Sequence, residues 1–219
     1  MRKALTSFPN HIFHRKFDKT WRWRCFLFNV IRNNFMGNSS ASSYKLDIDL
    51  SFTPFPVQDL DTFVNNKTLE LMKSSSQWIE EIGSWIRFIQ VNESLKCPEI
   101  VQNASQLSLG LELTNDEKIL DLNHVWLGQS KSTDVLSFPI IDETSFVVMN
   151  ERIELGDIVI SVPTAIRQAK DNKADVFREL RWLATHGLLH LLGWDHNDEE
   201  SLNKMLLIQE QLLDIRGIL

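Results

Sequence analysis

Three histidines place the tightest constraint on how this chain can fold. His186, His190 and His196 lie within eleven residues, in the run T-H-G-L-L-H-L-L-G-W-D-H over residues 185–196. The apolar stretch from about Ala174 to Leu192 reads as one long helix, stopped by Gly193. A spacing of four on that helix puts the first two imidazoles on one face, one turn apart. Gly193 is free to take the left-handed conformation that ends a helix and reverses the chain. The reversal returns His196 towards the pair. A lone histidine on an apolar helix is usually a core residue, but three at H-x3-H-x5-H around a glycine form a metal-ligand pattern. Three neutral imidazoles with an open fourth position are the donor set of a catalytic zinc site, and imidazole also suits nickel, copper and iron. The spacing occurs in the H-E-x-x-H-x-x-G-x-x-H signature of metzincin proteases, so a metzincin-like zinc-binding helix-turn is expected. Gly187 stands where those proteases carry their general-base Glu, which disfavours peptide cleavage.

The rest of the ordered sequence alternates strand and helix signals. Tyr44, Leu46, Ile48 and Leu50 alternate with polar residues, as do Leu107, Leu109, Leu111 and Leu113. Between them, Pro54 to Asp61 reads as a loop, and Trp78, Ile79, Ile82, Trp85, Ile86 and Ile89 mark an amphipathic helix capped by Ser74–Ser76. Thr114 and Glu117 fit a capping box for a helix with Ile119, Leu122 and Trp126 on its inner face, ended by Gly128. Strands are expected over Val135–Ile140 and Leu155–Val162, then a helix from Pro163 towards Lys170. The last helix opens in Asp198, Glu199 and Glu200 and buries Leu202, Met205, Leu206, Leu212 and Leu213. The order predicts a single α+β domain over residues 44–216, a small four-stranded mixed sheet covered by helices.

Charge separates this body from what precedes it. Residues 1–40 carry eight Lys or Arg against Asp18 alone, a balance of +7, whereas residues 41–219 balance at −13. So acidic a body is no general nucleic-acid coat, and any RNA must be met at a local basic or metal-containing site. The N-terminal segment lacks periodicity and reads as a disordered basic extension, a targeting segment or the product of an upstream start, with Met36 as a second start. No window is apolar enough for a transmembrane helix. Cys25 and Cys97, far apart, exclude a disulfide framework and fit a reducing compartment.

Three blocks together resemble one family. The histidine block is similar to the H-G-x-L-H-L-x-G-aromatic-D-H signature of the YbeY endoribonucleases, the rRNA maturation factors. Thr133 to Pro139 (T-D-V-L-S-F-P) resembles that family's T-[DN]-V-L-S-F-P strand, and Leu155 to Ser161 (L-G-D-I-V-I-S) its L-G-D-I-x-I-S strand. The resemblance covers about residues 44–215. It implies a zinc-dependent, single-strand-specific endoribonuclease that matures the 3′ end of small-subunit rRNA and serves ribosome quality control. His186, His190 and His196 would be the ligands of one Zn2+ per chain, with a zinc-bound water or a metal-polarised phosphate doing the chemistry. Implied partners are ribosomal RNA and the small ribosomal subunit, with neither DNA nor membrane. The cytoplasm is the default location, or an organelle if the source is eukaryotic.

One block departs from the pattern. The family's N-x-x-[YF]-R-[GH]-K-D-x-P-T stretch reads Asn123 to Thr133 here, with Leu127 in place of the Arg, which removes a bidentate phosphate clamp. Lys131 and Arg152 are the candidate substrate-binding cations in its place, though neither follows from the motif. Leu127 sustains an alternative reading, a ribosome-assembly or RNA-binding factor with a structural zinc and faded catalysis. Asp195 suits either a partner to a liganding histidine, including proton transfer, or a helix-end cap. Asp134 suits either a cleft-lining role or a turn cap. His124, without a spacing partner, reads as a surface histidine, and Trp78, Trp85, Trp182 and Trp194 read as core rather than base-stacking residues. Cys97 receives no role.

Overall fold

The computed structural model describes residues 5–6, 46–60, 64–140 and 152–215, all within one compact unit. Five strands form one sheet: β1 (Leu5–Thr6), β2 (Asp47–Thr53), β3 (Gln106–Thr114), β4 (Val135–Pro139) and β5 (Arg152–Ser161), in the order β1-β4-β5-β3-β2. β2, β3 and β5 are parallel, and β4 runs antiparallel to β5 and to β1. The helices are α1 (Asn66–Lys73), α2 (Ser75–Val91), α3 (Glu99–Gln102), α4 (Asp116–Leu127), α5 (Val162–Asp171), α6 (Val176–Leu191) and α7 (Glu199–Asp214). The α+β class and the four strands read from the sequence are present. At the β4 edge, Leu5–Thr6 add a two-residue strand from a segment with no strand periodicity. The remainder of residues 1–40, Met36 and Cys25 included, and Tyr44 of the first expected strand lie outside the described residues.

The sheet is covered unequally on its two faces. Alternation along β3 sends Leu107, Leu109, Leu111 and Leu113 into a core shared with α1, α2, α3, α5, α6 and α7. The opposite face holds a smaller cluster, in which α4 packs Ile119 on Leu136, Phe138 and Val159. In β5 the pairing with β3 slips between Ser108 and Gly110, and the extra residue falls at Leu155–Gly156. That bulge keeps Leu155, Ile158 and Ile160 in the main core. No helix among the described residues is long and apolar enough to cross a membrane.

Several local expectations need correction. The helix after β3 is capped by Asn115, whose side chain accepts from the Lys118 N–H at 2.9 Å, while Thr114 is the buried last residue of the strand. Asn and Thr are both good caps, and the strand's pairing through Ser161 decides between them. Trp126 is 46 % exposed and touches Phe138 edge-on at the α4 rim instead of lying on the inner face, where Asn123 is buried. α1 and α3 carry no strong sequence signal, because eight and four residues are too short for a clear period. The loop after β2 contains a 3-10 turn at Val57–Asp59, and β5 begins three residues earlier than its apolar run. In α7 the buried stripe comprises Met205, Ile208, Gln209, Leu212 and Leu213, with Leu202 and Leu206 only half-buried.

α6 is the central element. Every residue from Glu179 to Leu191 is buried, because β4, β5, α1, α5 and α7 surround the helix. Its Arg181 pairs with Glu81 of α2 at 2.7 Å, both side chains at most 6 % exposed, and also donates to the Leu213 carbonyl. The guanidinium lies beside the rings of Trp85 and Phe177. Removing one member of such a pair leaves a buried charge without its counter-ion. Arg181→Met is therefore expected to lower the unfolding free energy by about 3–5 kcal/mol, measured by urea denaturation. A loss below about 1 kcal/mol would show that Glu81 is not left as an uncompensated buried charge.

Candidate metal centre

α6 presents His186 and His190 at its C-terminal end, 1 % and 2 % exposed. The helix closes with Gly193 at φ +79°, where its N–H reaches the His190 carbonyl at 3.0 Å and the Trp194 N–H reaches Leu189 at 2.9 Å. The loop between α2 and α3 clamps this turn: Lys96 Nζ donates to the Gly193 carbonyl at 2.6 Å, and Trp194 Nε1 donates to the Lys96 carbonyl at 2.8 Å. His196 follows, and one ring nitrogen from each of the three histidines lies within 4.8 Å of the others, a group able to hold a metal ion. Ring centroids are 4.6, 5.4 and 5.1 Å apart.

Hydrogen-bond partners fix which nitrogens face inward. His190 Nδ1 lies 2.9 Å from the Trp194 carbonyl, which only accepts, so Nδ1 carries the proton and Nε2 the lone pair. Gln209 of α7 donates its Nε2 to the Trp182 carbonyl at 3.2 Å, which turns Oε1 towards His186 Nδ1, also at 3.2 Å. His186 is thereby protonated on Nδ1 too. The two Nε2 atoms then face each other at 3.1 Å, lone pair to lone pair. That contact is repulsive unless a cation sits against both, and a tetrahedral zinc needs its ligand nitrogens about 3.3 Å apart. The donor set fits a divalent metal.

Electrostatics agree. Burial, reinforced by His190, holds His186 well below the usual imidazole range, against the bond to Gln209. Burial and the neighbouring His196 bring His190 down to about 4, against the Trp194 carbonyl and Asp195. Both rings are neutral near pH 7, the state a ligand requires.

Other residues singled out from the sequence fall elsewhere. Asp195 is exposed, and its carboxylate accepts from the His196 backbone N–H at 2.8 Å and from Asn197 Nδ2 at 3.0 Å, so its direct bonds cap the turn. Asp134 accepts from the Val135 N–H and from Gln168 Nε2, tying β4 to α5. Arg152, at the start of β5, pairs with Asp49 of β2. Lys131 is exposed on the loop before β4, where its carbonyl accepts from Asn123. Leu127 is half-buried in the Ile119–Leu136–Phe138–Val159 cluster, on the sheet face away from α6. His124 is exposed, and Trp78, Trp85, Trp182 and Trp194 are buried, as expected. Burial pushes the Cys97 thiol up to about 11, which makes it a poor nucleophile. A groove of about 450 Å3 opens over β2, β3 and β5 beside α4, and none of the three histidines lines it.

Gly187 has a packing reason. A Cβ there would stand 2.7 Å from the Ile158 side chain and 3.1 Å from that of Ser137, so α6 lies on the sheet closely enough that any side chain at 187 would force these two to shift. Gln209 escaped sequence reasoning, although a polar residue within an apolar helical stripe was the available signal. Gly187→Ala is expected to destabilise the protein by about 1–2 kcal/mol despite alanine's better helix propensity, seen as a lower denaturation midpoint. For the metal-free protein, the unfolded chain takes up protons on His190 near pH 6.5 and the folded one only near 4. Stability is thus full above about pH 6.5 and falls by up to about 3 kcal/mol towards pH 4 from this residue, measured as melting temperature against pH. A flat profile across that window would contradict the assignment.

The family model described as "Endoribonuclease YbeY" matches residues 64–217. A protein of that name from Prochlorococcus marinus (strain NATL2A) is 85 % identical over 184 residues, covering 84 % of this chain and 100 % of the relative. A second, from Prochlorococcus marinus (strain MIT 9313), is 47 % identical over 182 residues, covering 83 % and 97 %. A third, from Synechococcus sp. (strain CC9902), is 49 % identical over 140 residues, covering 64 % and 78 %. The histidine turn, the β4 and β5 strands that support it and these matches together mean that the chain belongs to the endoribonuclease YbeY family.

Proposed function

We propose that His186, His190 and His196 hold one zinc ion and that the chain is a metal-dependent, single-strand-specific endoribonuclease. Its substrate in this reading is precursor rRNA, matured at the 3′ end of the small-subunit RNA, with a part in ribosome quality control. The supporting observation is the pair of inward-facing Nε2 lone pairs 3.1 Å apart, joined by a third imidazole. When bound, the metal supplies a Lewis acid that polarises a phosphate oxygen and lowers the pKa of water.

The chain's own contribution is to keep the imidazoles of His186 and His190 neutral, oriented and dry. Gly187 leaves no carboxylate on the helix beside the ligands, so proton transfer falls to another group, and Asp195 at the turn is the nearest candidate in sequence. The acidic balance of residues 41–219 makes the metal the local positive charge that draws a phosphate. Lys131 is the remaining exposed cation of the block that departs from the family pattern, whereas Arg152 is engaged by Asp49. Partners in this reading are ribosomal RNA and the small subunit. Bacterial relatives favour the cytoplasm over an organelle.

A structural zinc in an assembly factor is less well supported. Structural sites close their coordination with four protein ligands, whereas the group among the described residues has three. The test is cleavage of precursor small-subunit rRNA by the zinc-loaded protein. Wild type is expected to cut, a chelator to abolish cutting, and His190→Ala to lower the rate at least 100-fold. A wild-type protein that binds zinc yet leaves the RNA intact, with Leu127→Arg gaining activity, would overturn the nuclease reading in favour of the assembly factor.

A further inference from the structure

We propose that Gln209 of α7 is the positioning residue of the metal centre: its side-chain amide fixes the ring of His186 so that Nε2 carries the lone pair and faces the other two imidazoles. The inference rests on the zinc-site reading above and assigns a role to a residue outside the histidine motif.

Gln209 is wholly buried in a stripe otherwise made of Met205, Ile208, Leu212 and Leu213. A primary amide in such a setting is costly unless both its ends are bonded. Both are. Nε2 donates to the Trp182 carbonyl, one turn before His186 on α6, and Oε1 stands 3.2 Å from His186 Nδ1. The order of these bonds removes the usual ambiguity of an amide. A backbone carbonyl cannot donate, so the amide nitrogen must point at Trp182 and the oxygen at the imidazole. The oxygen in turn cannot donate, so His186 carries its proton on Nδ1. His190 reaches the same state through the Trp194 carbonyl, a backbone group delivered by the Gly193 turn. Of these two buried histidines, His186 alone depends on a side chain from another helix, and a substitution can remove it.

An apolar residue of similar length at 209 would let the His186 ring turn and place either nitrogen inward. Partners of this kind orient metal-bound histidines and typically change affinity 10- to 100-fold.

The experiment measures zinc affinity of the full chain by competition with a chromophoric chelator, for wild type, Gln209→Met and His190→Ala, together with nitrogen NMR of the His186 ring in the zinc-loaded wild type. Gln209→Met is expected to bind zinc 10- to 100-fold more weakly while its metal-free melting temperature stays within a few degrees of wild type. The wild-type ring is expected to show a slowly exchanging proton on Nδ1. An affinity for Gln209→Met within threefold of wild type, or a wild-type ring protonated on Nε2, would sink the inference. The NMR measurement stands even if the variant fails to fold. Equal zinc affinity for wild type and His190→Ala would instead overturn the metal-site reading itself.

Discussion

The structure depends on the close seating of α6 against β4 and β5. At Gly187 the helix approaches Ile158 and Ser137 so closely that an added Cβ would push against their side chains, and with α1, α5 and α7 around it every residue from Glu179 to Leu191 is buried. Burial on all sides forces each polar group of that helix to find a partner inside the protein. Arg181 finds Glu81 and the Leu213 carbonyl, and Thr185 donates to the Trp182 carbonyl. His190 finds the Trp194 carbonyl and His186 finds Gln209. Apart from Thr185, whose partner lies on α6 itself, these groups find their partners on α2, α7 and the turn after α6. The elements packed around the helix therefore also determine the protonation and direction of its histidines.

The same seating separates this centre from that of the proteases whose spacing it shares. Their general-base carboxylate stands at the position of Gly187, and here a side chain would press on Ile158 and Ser137. The glycine suits the packing of α6 on the sheet. The two sheet faces carry different work as well. The histidines lie on the face with the large core, whereas Leu127 belongs to the small α4 cluster on the other face. Leu127 fills an apolar niche there, so its identity suits the packing of α4 on Leu136, Phe138 and Val159.

Much was legible because it is local. The His186–His190 spacing, the helix stop at Gly193 and the alternation of Leu107 to Leu113 each follow from a period of 3.6 or 2 or from one backbone angle. Short elements were not legible, since α1 and α3 bury too few residues to show a period. The cap of α4 was displaced by one residue, because Thr114 stays in the ladder opposite Ser161 and leaves Asn115 to cap. Trp126 was misplaced for a related reason. The narrow α4 face is already filled by Ile119, Leu122 and Leu127, and the large ring is left at its rim.

The sequence by itself determined the helix, its glycine stop and three imidazoles on one side of a chain reversal, since those depend on spacing along a single segment. Only the tertiary structure decided which nitrogen of His186 and of His190 faces inward. That choice is made by groups far away in sequence or brought round by the turn: the amide of Gln209, itself aimed by Trp182, and the carbonyl of Trp194, held in place by Lys96. A lone pair has a direction only once its ring is fixed, and the ring is fixed by packing between helices that periodicity along one strand of sequence does not encode.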